Sequence, residues 1–345
     1  MPTLVVGPNW VGDMIMAHSL IAQIKAADPN DPIDMLAPAW SLAIAKRMPE
    51  IRDTECLPFA RGRLELAGRW KMARRLARRG YHTAYVLPNS LKSALIPAMA
   101  GVPRRVGWRG EHRYGLLTDL RALQTEQFPM MVDRYRVLGF DRSITCADQL
   151  PSPRPNPVLE VDLSNQQMLI SRFQLDASRL VALCPGAEFG PAKQWPLAQF
   201  AALGAKLVEA GWQVILLGSD KDRAACDWIV NQQSNGEGGS WVNLAGQTAL
   251  TDAVDLLACS RVCVSNDSGL MHVAAATGRP VVALFGPSSA SHTPPLSDHA
   301  TVLTHPVDCH PCFQRVCPLG HQACLSDLAV ESVWTALMPW LQVED

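Results

Sequence analysis

Three short segments of this chain combine a strand end, a glycine-bearing loop and a helix start with a charged side chain. The first is Gly7-Pro8-Asn9-Trp10-Val11-Gly12-Asp13-Met14. Asp13 stands at a predicted helix start, where the helix dipole favours its ionised form. An ionised carboxylate at the mouth of a cleft can serve as general base toward a hydroxyl. The purely structural alternative is a helix N-cap. The loop lacks the GxGxxG fingerprint of dinucleotide binding. The second segment runs from Cys184 to Pro196 and carries Gly186, Ala187 and Lys193. Backbone N–H groups near glycines at a helix start suit phosphate, and Lys193 adds a point charge; the alternative is an ordinary surface lysine. The third is Ser265-Asn266-Asp267-Ser268-Gly269-Leu270-Met271-His272. With Asp267 or Ser268 as cap, the N–H groups of Ser268, Gly269 and Leu270 would cradle a pyrophosphate with His272 close by. A capping carboxylate followed by a core histidine is the alternative. Two anion-ready loops in one half of the chain favour a diphosphate ligand.

A fourth cluster has a different chemistry. Cys309, Cys312, Cys317 and Cys324 follow the spacing C-x2-C-x4-C-x6-C. Reduced cysteines so close together suggest a structural metal, or else thiols that simply pack. The other cysteines, Cys56, Cys146, Cys184, Cys226, Cys259 and Cys263, are scattered and suggest buried thiols. No Ser-His-Asp set, HExxH, Walker A loop or Asp-x-Asp pair is evident, which removes support for an NTPase or a metal-dependent transferase.

These loops need scaffolding, and the hydrophobic pattern supplies it. Leu4–Val6 is a predicted strand, Met14–Ala26 a helix, and Ile33–Leu36 and Thr83–Leu87 further strands. In the second half, strands at Arg179–Cys184, Trp212–Leu217, Val262–Ser265 and Pro280–Phe285 alternate with helices at Pro196–Ala210, Leu250–Cys259 and Gly269–Thr277. Such alternation implies parallel βαβ units, hence an α/β protein with helices on both sheet faces. Between the halves, Pro151-Ser-Pro-Arg-Pro-Asn-Pro157 carries four prolines in seven residues. Proline disfavours helix in the residue before it, so this is an extended connector between two domains.

Composition narrows the class. Hydrophobic residues make up 48% and charged residues 18%, which excludes a disordered chain. No apolar run approaches the ~20 residues that span a bilayer. The N-terminus resembles a buried strand rather than a signal peptide, so a cytoplasmic location is expected. Net charge is −1, but residues 1–150 hold 21 Lys+Arg against 14 Asp+Glu and the remainder 10 against 18. The basic excess concentrates between Arg61 and Arg121, which suggests an anionic partner for the first half; solvated helix faces are the alternative, favoured for Arg74, Arg75, Arg78 and Arg79. Basic residues without interleaved aromatics argue against nucleic acid.

Taken together, GPNWVGDM (7–14), APAW (37–40), YVLPNSLKSALIP (85–97), GWRGEHRYGLL (107–117), PGAEFGPAKQWP (185–196) and NDSGLMHVAAA (266–276) resemble the bacterial lipopolysaccharide heptosyltransferases, glycosyltransferase family 9. LPNSLKSAL and PGAEFGPAK point to the branch that adds the second heptose. The resemblance implies a GT-B fold: an acceptor-binding Rossmann-like domain over 1–157 facing, across a cleft, a donor-binding one over 158–345, whose last helix could pack back on the first. It implies inverting transfer of L-glycero-D-manno-heptose from ADP-heptose to the first heptose on Kdo-lipid A, with no cofactor or catalytic metal required. By the same resemblance Asp13 is the base, and Lys193 with the 267–272 loop stabilises departing ADP. Asn9, Trp10, Lys92, Arg109 and Arg113 would face the phosphorylated acceptor, and Trp108 would stack on a sugar. Peripheral contact with the anionic inner face of the inner membrane follows from the lipid-linked acceptor. The competing expectations are a related heptosyltransferase with a different core acceptor, or a non-catalytic module that binds anionic lipid.

Overall fold

The computed structural model describes residues 1–59, 63–232 and 240–342; Arg61 lies outside them. The chain divides into two compact units, Met1–Val158 and Leu159–Asp345. In the first, six strands run parallel: β1 (Thr3–Val6), β2 (Ile33–Ala37), β3 (Ile51–Cys56), β4 (Thr83–Val86), β5 (Arg104–Trp108) and β6 (Asp119–Arg121). Their order across the sheet is β3-β2-β1-β4-β5-β6, the doubly wound arrangement in which strand order reverses between β1 and β4. Thr3, Leu4, Val5 and Val6 are all buried, as expected for a strand covered on both faces. The Leu87 N–H donates to the Val6 carbonyl at 3.1 Å. The loops after β1 and β4 therefore leave the sheet side by side at its switch point, where ligands bind in open α/β sheets.

The polar strand β3 has no apolar alternation, so its pairing is decided by neighbours. The buried Asp34 on β2 accepts from Arg52 Nη2 at 2.6 Å and from the Tyr81 hydroxyl at 2.6 Å. Arg79 reaches Asp34, Asp53 and Glu55, and Arg75 pairs with Glu55. Two of the four arginines expected on a solvated helix face thus tie helix Leu66–Ala77 and its end to the sheet.

The second unit repeats the plan with β7 (Leu180–Cys184), β8 (Gln213–Leu216), β9 (Trp241–Asn243), β10 (Val262–Asn266), β11 (Val281–Phe285) and β12 (Ala300–Thr304). All are parallel, in the order β12-β11-β10-β7-β8-β9, so the switch point lies between β7 and β10. Its core contains Trp195 edge-on to Phe200 with ring centroids 4.9 Å apart. Helix Val330–Leu341 buries Val333, Leu337 and Leu341 in that same core. The two Rossmann-like units are those of the GT-B class. Among the described residues no helix is long and apolar enough to cross a membrane.

Candidate active site

In the first unit the loop after β1 enters helix Val11–Ala27. The helix begins at Val11 with Trp10 at the N-cap position, so Asp13 is not the cap: it is the acidic residue of the first turn. The helix dipole still favours its charge there. Burial, with the Asp13 carboxylate nearby, pushes the Tyr135 phenol well above its ordinary value. Asp13 is half-buried, while Asn9 and Trp10 are exposed. A Cβ on Gly7 would come within 2.6 Å of Met14 Cε, so glycine lets the loop turn directly over the helix. Trp40, from the APAW segment, donates its indole N–H to the Asn9 carbonyl at 2.8 Å. Trp40 is 54% exposed and Trp10 41%. Trp40 is thus tied to the Asn9-Trp10 loop, and in the sequence its only signal is a tryptophan just past a strand end.

Two acceptor assignments are corrected by burial. Trp108 lies in the core, its indole N–H donating to the Arg134 carbonyl at 3.0 Å and its ring 6.4 Å from Phe128, so it offers no face to a sugar. Arg113 is 1% exposed. Its guanidinium donates to the carbonyls of Trp108 at 3.0 Å and Pro88 at 2.6 Å, and to Asn89 Oδ1 at 3.2 Å. Burial pushes its pKa down to about 10. Arg113 clamps the loop after β4 rather than meeting an anion. Arg109 is exposed and Lys92 half-buried, and among the described residues neither ammonium nor guanidinium is in an ion pair. The exposed Glu111 has a local role: its carboxylate accepts from the Leu91 N–H at 2.8 Å at the start of helix Leu91–Met99.

In the second unit the loops after β7 and β10 are joined by Asn266. Its side-chain N–H donates to the Pro185 carbonyl at 2.7 Å, and its Oδ1 accepts from the Trp195 N–H at 3.0 Å. One buried amide thus grips both ends of the loop that carries Gly186, Ala187 and Lys193. Gly186 is required by a close approach: a Cβ there would stand 2.6 Å from the Asp222 carboxylate. Lys193 closes a short 3-10 turn, Pro191–Lys193, and helix Leu197–Glu209 follows it. The Lys193 ammonium donates to Asp267 and lies 4.8 Å from the centre of the Phe189 ring. Asp267 is buried and also accepts from the Ser288 hydroxyl. Ser268 is the N-cap of helix Gly269–Ala276, and Ser268, Gly269 and Leu270 are half-buried. The N–H groups of that first turn lack intrahelical carbonyl partners and so can donate to an anion.

His272 lies fully within this region, and its Nδ1 has no hydrogen-bond partner. Desolvation, reinforced by the Lys193 charge, pushes its pKa down to about 4. It is therefore a neutral imidazole at pH 7 and adds no positive charge toward a phosphate. Taken together, the second unit offers a fixed lysine, a helix N-terminus and two glycine-relaxed loops at its switch point. That arrangement suits a diphosphate. The first unit offers a carboxylate in the first turn of a helix, after a loop that carries an exposed indole, which suits a sugar hydroxyl.

Comparison with known proteins shows the family. The chain is 44% identical to lipopolysaccharide heptosyltransferase 2 of Escherichia coli over the whole of both chains. It is 45% identical to lipooligosaccharide heptosyltransferase 2 of Haemophilus influenzae over 88% of each. The solved structure of E. coli ADP-heptose LPS heptosyltransferase II superposes with a TM-score of 0.89 at 43% identity, covering 99% of this chain and 98% of that one. A family model described as glycosyltransferase family 9 (heptosyltransferase) matches residues 69–323. With its two switch-point sites and these relatives, the chain belongs to glycosyltransferase family 9, the heptosyltransferases.

Proposed function

We propose that the protein transfers L-glycero-D-manno-heptose from ADP-heptose to the first heptose of heptosyl-Kdo-lipid A, with inversion at the anomeric carbon. The observation that carries this reading is the Lys193–Asp267 pair beside the N-terminus of helix Gly269–Ala276, in a chain whose full length matches second heptosyltransferases. Asp13 takes the proton of the acceptor hydroxyl as that oxygen attacks. Lys193 and the N–H groups of Ser268, Gly269 and Leu270 stabilise charge that grows on the diphosphate as the glycosidic bond breaks. Interactions that strengthen as the leaving group departs lower the barrier rather than merely tightening substrate binding. This chemistry asks for no cofactor. Trp10 and Trp40, with Arg109 and Lys92, are the acceptor-facing groups of the first unit.

The lipid-linked acceptor places the enzyme at the cytoplasmic face of the inner membrane. Helix Leu66–Ala77 supports this reading: Leu66 and Trp70 are exposed, Arg74 lies 5.0 Å over the Trp70 ring, and Lys71 and Arg78 are exposed beside them. Exposed basic and apolar groups together favour an anionic leaflet. Association with anionic vesicles should weaken as salt rises, and a salt-insensitive interaction would oppose it. The decisive assay mixes the protein with ADP-heptose and Kdo-lipid A bearing either one heptose or none. Transfer only to the heptose-bearing acceptor supports the proposal. Transfer to bare Kdo-lipid A would move the enzyme to a different acceptor, and no transfer to either would leave a binding module.

A further inference from the structure

The segment around Cys309–Cys324 is not used by the reaction above, yet its backbone is shaped with unusual care. We propose that Cys309, Cys312, Cys317 and Cys324 bind one thiophilic divalent cation of the zinc class, and that this centre braces the loop carrying Lys193. All four cysteines line a single cavity of about 20 Å³, a volume matched to one atom rather than to an organic ligand. Four thiolates around one ion is a standard tetrahedral structural arrangement.

The turns have the geometry that presents sulfur. After Cys312 the chain passes through Phe313 with φ +54°, and after Cys317 through Gly320 with φ +75°. A bulky side chain in the left-handed region is uncommon and is retained only where surroundings impose it. The Phe313 N–H donates to the Pro287 carbonyl at 2.7 Å, which fixes that turn. The Gln322 N–H donates to Cys317 Sγ at 3.4 Å. A backbone N–H that donates to a sulfur orients it, as the outer partners of metal-ligating groups do. In the present conformation no three His, Cys, Asp or Glu side chains among the described residues stand at ligand geometry. A cysteine has only χ1 to adjust, so the ion would draw the sulfurs inward by side-chain rotation on backbone turns that are already set.

The same segment grips the donor loop. The Ala192 N–H donates to the Arg315 carbonyl at 3.1 Å, and Gln322 Nε2 donates to the carbonyls of Pro191 at 3.0 Å and Gln194 at 2.8 Å. A Cβ on Gly190 would sit 2.5 Å from that Arg315 carbonyl, so the two backbones are in direct contact just before Lys193, and the Gln322 side chain holds the chain just after it. Metal binding converts the segment into a rigid support, because four ligands fix its loops at once. The link to donor binding rests on the function proposed above; the metal site itself does not.

The test is the metal content of the full chain, purified under reducing conditions from zinc-supplemented cells. Elemental analysis should find close to one zinc per chain in the wild type and in Cys56→Ser, whose exposed thiol lies outside the cluster. The Cys312→Ser/Cys317→Ser double variant should hold less than a tenth of that. Cobalt exchanged into the wild type should give the intense ultraviolet band of thiolate-to-cobalt charge transfer. If the double variant fails to fold, thiol titration of the wild type decides: a chelator should expose four additional reactive thiols. Loss of the metal should raise the KM for ADP-heptose about tenfold while metal content is read independently of any transfer. A wild type with trace metal only, or with the four sulfurs joined as disulfides under these conditions, would overturn the assignment. So would equal metal in the double variant.

Discussion

Asp267 holds Lys193: the carboxylate at the end of β10 accepts from the lysine ammonium and, on the same oxygen, from the Ser288 hydroxyl. A carboxylate next to a diphosphate would repel it, so its value lies in fixing the lysine rather than in touching the ligand. Removing the lysine should then cost more than removing its partner. Lys193→Ala is expected to lower kcat roughly 100-fold, the usual scale for one preorganised electrostatic group. Asp267→Asn should lower it about 10-fold, and the double variant should match Lys193→Ala alone, because the two act as one unit. Additive losses in steady-state kinetics would show that Asp267 has a separate role.

Asp13 is expected to act on the acceptor only. Asp13→Ala should reduce kcat by about 10³, within the range for loss of a general base, with ADP-heptose affinity in calorimetry unchanged. A parallel loss of donor binding would sink the assignment.

His272 gives the fold a dependence on mild acid. Its pKa is held near 4 by burial, against about 6.5 in the unfolded chain. Above pH 6.5 both states are neutral and the site costs nothing. Between pH 6.5 and 4 the unfolded chain binds a proton that the folded site resists, so stability falls as pH falls. Urea midpoints should therefore drop across that window in the wild type and drop less in His272→Asn.

The Asp34 cluster should behave as a stabilising network in the first unit. Burial alone would raise the Asp34 pKa, but hydrogen bonds from Arg52, Tyr81 and Arg79 hold it below its ordinary range. Its contribution is present above the unfolded value of about 3.9 and lost as pH falls through the folded one. Asp34→Asn should cost about 2 kcal/mol at neutral pH, the scale of hydrogen bonds to a charged group. Chemical denaturation monitored on the first unit is the measurement.

Arg113 and Arg109, four residues apart, should separate cleanly. Arg113→Met strands the carbonyls of Trp108 and Pro88 and should destabilise the fold by about 3 kcal/mol. Arg109→Ala should leave the melting temperature unchanged and raise the acceptor KM more at low salt than at high salt. Equal melting losses in the two variants would remove Arg109 from the acceptor site.

Much of this was legible in the sequence because it is local. Strand-forming apolar runs, glycines at loop entries, a lysine before a helix and six ordered motifs specify two doubly wound sheets with an acidic loop in one and two anion loops in the other. Helix ends are less local: Val11 rather than Met14 opens the first helix, because chain entry at Trp10 and not apolar periodicity sets it. β3 was invisible, since its residues are polar and its pairing depends on Asp34, Arg52 and Arg79 arriving from other elements.

What only the tertiary structure decided is which polar groups remain available. Lys92, Trp108, Arg109 and Arg113 look alike as charged or aromatic residues in matching segments. Packing puts Trp108 in the core and surrounds Arg113 with carbonyls while leaving Arg109 in solvent. Asn266 gained its role because its one amide reaches Pro185 and Trp195, far away in sequence. The sequence determined which loops could carry charge, because strand, glycine and helix start are short-range signals. Burial and hydrogen-bond partners depend on residues distant along the chain, and these fixed which side chains support the site and which can meet a substrate.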